Sequence, residues 1–103
     1  MRIEWSEPAR DDLRDVQNYV ARDSPVYARQ LVEKLIAAVE RLFEFPESGR
    51  QVPEASVENV REVIFRNYRI IYRAELPERV LILAVVHGHR DLTQKDPQPW
   101  ETS

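Results

Sequence analysis

Cysteine, glycine and long hydrophobic runs are absent or scarce in this chain of 103 residues, which has no cysteine and only two glycines. Without cysteine, it can form neither a disulfide nor a thiolate metal site, and a reducing compartment is permitted. The longest apolar run, Val80 to Val86, is too short to cross a bilayer, and the N-terminus has no apolar stretch of signal-peptide length. We therefore expect a cytoplasmic protein that makes no membrane contact.

Lysine is also scarce, because 13 of the 15 basic residues are arginine, and the net charge is −3. A negative net charge argues against a general nucleic-acid-binding protein. Residues 60–90 nevertheless carry six arginines and three acids, whereas residues 1–59 carry 12 acids and 8 bases. Since a guanidinium binds carboxylates and phosphates with two hydrogen bonds, the segment 60–90 is the candidate binding region.

The first half of the chain predicts a short strand followed by two helices. The strand candidate is Arg2 to Trp5. Ser6 suits the N-cap of the first helix, and Ser24 followed by Pro25 suits the start of the second. Apolar residues recur at helical spacing in both segments until Pro46 ends the second. Because the link between them is short, the two helices should form an antiparallel hairpin.

Three strand-like segments follow a loop at residues 46–59, in which one helical turn is expected near Glu54 to Val57. The three strand candidates are Val60–Phe65, Tyr68–Glu75 and Arg79–His87. A two-residue hairpin turn at Arg66-Asn67 is favoured by the asparagine. The last strand is apolar on both faces, which is typical of a central strand covered on both sides.

The order of elements predicts an α+β domain, in which an N-terminal strand and an antiparallel helix hairpin pack on a small, mainly antiparallel sheet of about four strands. We expect one domain at residues 1–92. Residues 93–103 are expected to form a mobile C-terminal tail in which Trp100 is exposed.

The polar residues of the segment 60–90 are the candidates for chemistry: Arg61, Arg69, Tyr72, Arg73, His87, His89 and Arg90. A role in catalysis or in phosphate binding needs groups that can move a proton or stabilise negative charge. Histidine can act as acid or base near neutral pH, whereas arginine serves as a phosphate clamp. The two histidines have no cysteine or carboxylate triad beside them, so no metal site and no cofactor are expected.

Structural roles compete with these chemical ones. Arg61 and Arg73 are equally suited to pair with a neighbouring glutamate, Glu62 or Glu75, on a solvated sheet face. His87 continues an apolar strand face and is expected to be a partly buried, hydrogen-bonded histidine.

Four segments in order resemble the RelE/ParE toxins of bacterial type II toxin–antitoxin modules: IEWSEPARDDL, FPESGRQVPE, VREVIFRNYRIIYR and VLILAVVHGHRD. The resemblance covers roughly residues 2–92 and implies a compact growth-inhibiting toxin, silenced by a small antitoxin that is ParD-like or of another type. Operator DNA would be contacted only through the antitoxin. RelE-like members cleave mRNA in the ribosome, whereas ParE-like members inhibit DNA gyrase and are not known as nucleases.

Three arginines match basic residues that the resemblance to RelE-like toxins implies to be functional: Arg61, Arg69 and Arg90. The next basic position of that pattern falls on Val63. Residues 91–99 contain no tyrosine or histidine to match the late acid or base of the nucleases. His87 or His89 would have to replace it.

The loop, the YRIIYR run and the HGHR ending look closest to the ParE branch. We therefore expect a toxin that inhibits gyrase and has no catalytic residue. The residues expected to contact the antitoxin or the target are Arg61, Arg69, Arg73, His89 and Arg90. The alternatives are a ribosome-dependent mRNA endonuclease and a binding protein that has lost toxicity.

Overall fold

The structure, a computed structural model, describes residues 1–88, 92 and 98–101. Its helices are α1 (Glu7–Ala21) and α2 (Pro25–Glu40), and its strands are β1 (Arg2–Trp5), β2 (Arg50–Gln51), β3 (Val60–Phe65), β4 (Tyr68–Glu75) and β5 (Arg79–His87). Short 3₁₀ turns follow at Arg41–Phe43 and Pro99–Glu101. The predicted bounds of β1, β3, β4 and β5 are confirmed.

The strands form one sheet in the order β1-β5-β4-β3-β2, in which β1 is parallel to β5 and the other neighbours are antiparallel. The predicted α+β class is confirmed, with five strands because β2 joins the edge. The helical turn expected near Glu54 to Val57 was wrong, since the loop instead forms β2 and a turn. Arg50 fixes β2 to β3 by donating to Glu62 Oε2 at 2.5 Å.

Both helices begin where the sequence predicts. The Ser6 hydroxyl accepts a hydrogen bond from the Ala9 amide at 3.1 Å, and the Ser24 hydroxyl accepts one from the Tyr27 amide at 3.1 Å. Each bond satisfies one of the amide groups that the first turn of a helix leaves unpaired. The Ser6 cap fixes the start of α1, and the Ser24 cap fixes where α2 begins after the short link between the helices.

The sheet buries apolar side chains on both faces, as the pattern of β5 predicted. On the helix side the core contains Leu31, Leu35, Val39, Ile70, Tyr72, Val80 and Ile82. On the other side it contains Val52, Val60, Ile71, Leu81, Leu83 and Leu92, with Trp100 packed against them. The expectation that Trp100 is exposed was therefore wrong. Its side chain is half-buried against the second core.

The turn between β3 and β4 is formed by Arg66 and Asn67, as predicted, but Arg66 adopts the left-handed conformation with φ of 53°. This backbone costs an ordinary residue about 1 kcal/mol. The turn places Arg66 at the tip of the β-hairpin.

In the part of the chain that the structure describes, neither helix is both long and apolar enough to span a membrane.

Candidate functional site

The candidate Arg69 lies inside the protein. Its side chain is 5% exposed. Its Nε donates to Glu62 Oε1 at 2.6 Å, while Nη1 and Nη2 donate to the two carboxylate oxygens of Glu54 at 2.9 and 2.8 Å. Glu62 is also buried, at 1% exposure. The guanidinium is therefore held between two carboxylates and is not presented to a phosphate or a partner.

This Arg69–Glu54–Glu62 network ties the loop before β3 to the middle of the sheet. The hydrogen bonds from Arg69 lower the pKa of Glu54 to about 2 and outweigh its partial burial. The Leu92 amide adds a hydrogen bond to Glu54 Oε2 at 3.4 Å. Glu54 in turn raises the pKa of Arg69, so both groups keep their charges across the physiological range.

Acid should weaken the network through Glu54. Its folded-state pKa is about 2 and its ordinary value is 4.5, so the stability it contributes is fully present above pH 4.5 and is lost as pH falls towards 2. We expect the urea midpoint of the wild-type protein to fall more steeply over this window than that of Glu54→Gln, which has no carboxylate to protonate. Equal slopes for the two proteins would contradict the role of Glu54.

Arg61 and Arg73 lie on opposite faces of the sheet. Arg61 is opposite Tyr72, on the helix side, whereas Arg73 shares its face with Arg69 and Ile71. The expected pairing of Arg73 is confirmed, because its Nε donates to Glu75 at 2.6 Å. The expected pairing of Arg61 with Glu62 was wrong, because Glu62 points to the other face of the sheet. The Arg61 Nη1 instead donates to the Gly49 carbonyl at 2.8 Å.

Glu75 is the centre of a second charged cluster at the far end of the sheet. It accepts from Arg79 at 2.5 Å and from Arg73 at 2.6 Å, and these two arginines lower its pKa. Arg79 also binds Glu4 at 2.8 Å, and Arg73 donates to the Trp100 carbonyl at 3.2 Å. The arginines of this sheet face are therefore paired within the protein.

Tyr72 is fully buried, and its hydroxyl accepts a hydrogen bond from the Gly49 amide at 3.0 Å. Burial raises the pKa of this phenol. Tyr72 therefore anchors the loop after α2 to the core and is inaccessible to a substrate.

His87 is exposed at the end of β5, so the expectation of partial burial was wrong. His87 is the last residue of β5, and burial ends at the residue before it, Val86. The imidazole meets the ring of Tyr68 edge-on, with centroids 5.9 Å apart. His89 and Arg90 lie outside the described residues.

The described residues thus do not assemble the catalytic group that a nuclease would need. Arg69 and Arg73 are each paired with glutamates on one face of the sheet. Arg61 lies on the other face, and His87 lies at the end of β5. No cluster of three metal-ligating side chains occurs among residues 1–88, 92 and 98–101.

Sequence reasoning missed an exposed surface that we call the tyrosine–arginine patch, formed by Tyr19, Arg22, Tyr27, Phe65 and Arg66. Arg66 donates to the Tyr27 hydroxyl at 2.8 Å. The Arg66 guanidinium carbon lies 5.9 Å from the centre of the Tyr27 ring and 5.2 Å from that of Phe65, while that of Arg22 lies 5.7 Å from the Tyr19 ring. These distances are those of cation–π contacts.

A groove of about 540 Å³ lies between the end of α2 and β3, and Phe65 belongs to both the groove and the patch. Ile64 and Phe45, which also line the groove, are 51% and 56% exposed. A second depression, of about 480 Å³, lies over Trp5 and Ile36 beside the helix hairpin. Exposed apolar surface of this kind marks protein-binding sites.

The sequence matches, over residues 3–92, the family described as "ParE toxin of type II toxin-antitoxin system, parDE". It is 30% identical to a Sinorhizobium fredii protein described as "Putative toxin Y4kP", in an alignment that covers 90% of this chain and 94% of that relative.

A solved structure described as "Chromosomal ParDE TA system from P. aeruginosa" contains a chain that superimposes with a TM-score of 0.70. The superposition covers 84% of this chain and 95% of that one at 22% identity, which supports the fold. The sequence match along nearly the whole length agrees with the order of motifs and strands. The chain therefore belongs to the ParE toxin family of type II toxin–antitoxin systems.

Proposed function

We propose that this toxin acts in the bacterial cytoplasm by inhibiting DNA gyrase and that a ParD-like antitoxin holds it inactive. Its ParE family membership supports a target of this kind. The observation that carries the choice of gyrase over mRNA is the burial of Arg69 between Glu54 and Glu62.

A ribosome-dependent nuclease would have to bring a phosphate to the arginine at this position. Two carboxylates already occupy the guanidinium, and their negative charge would repel the phosphate. Freeing Arg69 would take from Glu62 its buried cation and leave only the largely exposed Arg50 as its partner, which is unfavourable. The arginine that RelE-like nucleases would use for the phosphate is thus part of an internal ion pair in this protein.

Inhibition of a protein target needs a complementary surface and no catalytic group. The exposed tyrosines and arginines at the hairpin tips, together with the half-buried Phe65, have the composition of protein interfaces. A net charge of −3 also suits a protein target better than free nucleic acid.

The test is a gyrase supercoiling assay run beside a ribosome-dependent cleavage assay on one preparation of toxin. We expect supercoiling to fall with toxin concentration and to return when the cognate antitoxin is added, while translated messages stay intact. In cells, expression should induce the SOS response and filamentation.

Undiminished supercoiling at saturating, folded toxin would refute the gyrase proposal. Codon-positioned cuts that disappear in His87→Ala or Arg90→Ala would establish the nuclease instead. The Arg2→Gln variant is the matched control, because Arg2 is an exposed arginine that pairs only with its neighbour Glu4 in the described structure.

A further inference from the structure

Strand β1 lies at one edge of the sheet and, among the described residues, has a strand partner on one side only. The amides of Arg2 and Ser6 donate to carbonyls of β5 and of the turn before it, at 3.0 and 2.9 Å. Since the backbone groups of alternate residues point to the same side of a strand, those of Ile3 and Trp5 point away from β5. They form an open strand edge, which is a template for pairing with another chain.

The edge of β5 beyond β1 is closed by the start of α1. The Ser6 hydroxyl donates to the Leu83 carbonyl at 3.3 Å, and Asp12 Oδ2 accepts from the Val85 amide at 3.0 Å. These two side chains take the backbone groups that an added strand would need. A strand that docks on this side of the sheet is therefore limited to β1.

The charges of β1 complement a second copy of the same strand. Arg2 and Glu4 share one face, where they bind each other at 2.6 Å and Glu4 also binds Arg79. When two copies run antiparallel with Ile3 opposite Ile3, Arg2 of each copy lies opposite Glu4 of the other. A shift of two residues in either direction places Glu4 opposite Glu4 or Arg2 opposite Arg2. Because like charges directly opposite one another are destabilising, charge selects the register centred on Ile3.

The other face of β1 is apolar. Ile3 and Trp5 are half-buried against the core on the helix side. With Phe43, which is 57% exposed, they line a depression of about 490 Å³ near the end of α2. A two-fold axis at Ile3 brings two such apolar surfaces next to each other on the helix side of the joined sheets, and a contact of this symmetry closes after two copies.

The pattern of this edge favours a second copy over an unrelated strand. A strand rich in acids would meet Glu4 with like charge, and a strand rich in bases would meet Arg2 with like charge. The reversed sequence Arg2-Ile3-Glu4 matches both charges and the apolar residue between them.

We propose that two copies of this toxin pair through antiparallel β1 strands centred on Ile3, so that their two sheets of five strands become continuous. The α2–β3 groove lies at the opposite edge of each sheet and stays exposed in the pair. Because β1 has only four residues, the contact is weak and is lost on dilution, so dilute samples contain the monomer. The pairing is independent of the gyrase target.

Sedimentation equilibrium of the purified toxin over a range of concentrations measures the dissociation constant of the pair. Arg2→Glu makes both charged side chains of β1 acidic, and Glu4→Arg makes both basic. We expect either change to weaken self-association roughly tenfold or more, whereas an equimolar mixture of the two variants should form a heterodimer, since each strand then meets the opposite charge. Arg29→Glu, the same charge reversal at an exposed residue near the start of α2, should associate like the wild type.

A cysteine in β1 gives a second readout that leaves both charges in place. In a hydrogen-bonded antiparallel pair, opposite Cα atoms are about 5.5 Å apart, a distance that a disulfide can span. The chain has no cysteine of its own. Ile3→Cys should therefore form a cross-linked dimer on air oxidation at high concentration, and Arg29→Cys should not.

Circular dichroism establishes that each variant is folded, which matters most for Glu4→Arg because Glu4 also binds Arg79. A wild-type toxin that stays monomeric at its highest soluble concentration overturns the inference. A dimer that persists in Arg2→Glu, or a mixture of variants that stays monomeric, overturns it as well. Protection of the β1 amides from hydrogen exchange only when antitoxin is present would give this edge to the antitoxin and count equally against the pairing. Normal gyrase supercoiling beside a β1 dimer would refute the proposed target and leave this inference standing.

Discussion

Replacing Arg69 with alanine is expected to destabilise the toxin by about 3–5 kcal/mol, the usual cost of removing one partner from a buried ion pair. The change removes from Glu62, at 1% exposure, the buried cation that it binds at 2.6 Å, and leaves the largely exposed Arg50 as its remaining cationic partner. Glu54 loses both of its bonds to the guanidinium at the same time. Since small domains are stable by only about 5–15 kcal/mol, a large fraction of the protein should unfold under mild denaturation.

Urea unfolding followed by circular dichroism measures this effect. Arg2→Ala serves as the control, because it removes an arginine from an exposed ion pair and should change the midpoint little. Arg69→Lys should be intermediate, since a lysine keeps the charge but lacks the planar fork that reaches both carboxylates.

A variant with apolar residues at all three positions, Arg69→Met with Glu62→Leu and Glu54→Met, should recover much of the lost stability, because no buried charge remains. A midpoint for Arg69→Ala equal to that of Arg2→Ala would show that the network contributes nothing.

Replacing Gly49 with alanine is the second change expected to have a large effect, of about 3 kcal/mol or more from overpacking. The added methyl carbon would lie 2.6 Å from the Glu62 carbonyl oxygen and 2.7 Å from the Tyr72 hydroxyl. The carbonyl belongs to β3 and cannot move without disturbing the sheet. The Gly49 amide would also be displaced from its bond to the Tyr72 hydroxyl.

The Tyr72→Phe variant separates the steric clash at residue 49 from the loss of the hydrogen bond between the Gly49 amide and the Tyr72 hydroxyl. Alone, it removes the partner of the Gly49 amide and should cost about 1–3 kcal/mol. Combined with Gly49→Ala, it removes one of the two clashing oxygens, so the double variant should be more stable than the sum of the single changes predicts. Strict additivity would place the strain on the Glu62 carbonyl and on the ring carbon Cε1 of residue 72, which lies 2.8 Å from the added methyl. A neutral Gly49→Ala would contradict the tight packing.

The backbone of the fold was largely predictable, because it depends on local patterns. Alternating or continuous apolar residues define β3, β4 and β5, and the serine caps define the two helices. Strand β2 was missed because two polar residues, Arg50 and Gln51, carry no periodic signal. Its pairing depends on Glu62 across the sheet edge.

The partners of the arginines were less predictable, because they depend on contacts distant in sequence. In β3, Glu62 shares a face with Val60 and so points into the second core, where a carboxylate needs a buried cation. That alternation predicts some partner for Glu62 from β4. The alternation does not predict that Glu54 takes part. Glu54 lies in an irregular loop and supplies the second carboxylate that binds Arg69.

The tyrosine–arginine patch could not be predicted from the sequence for the same reason, because it depends on contacts between residues far apart in the chain. Tyr27 lies in the first turn of α2, and Arg66 lies in the β3–β4 turn, 39 residues further along the chain. Each residue reads as an ordinary exposed side chain in its own segment. Only the packing of α2 on the sheet brings the phenol, the guanidinium and the Phe65 ring together.

The pairing of β1 with β5 has a consequence for how the toxin is made. During synthesis, β1 gains its strand partner only after β5 has been made, and Trp100 covers the second core later still. A chain released before Arg79 therefore has an unpaired β1 and an open edge on β4, which favours aggregation or proteolysis. We expect such fragments to lack the folded structure of the toxin.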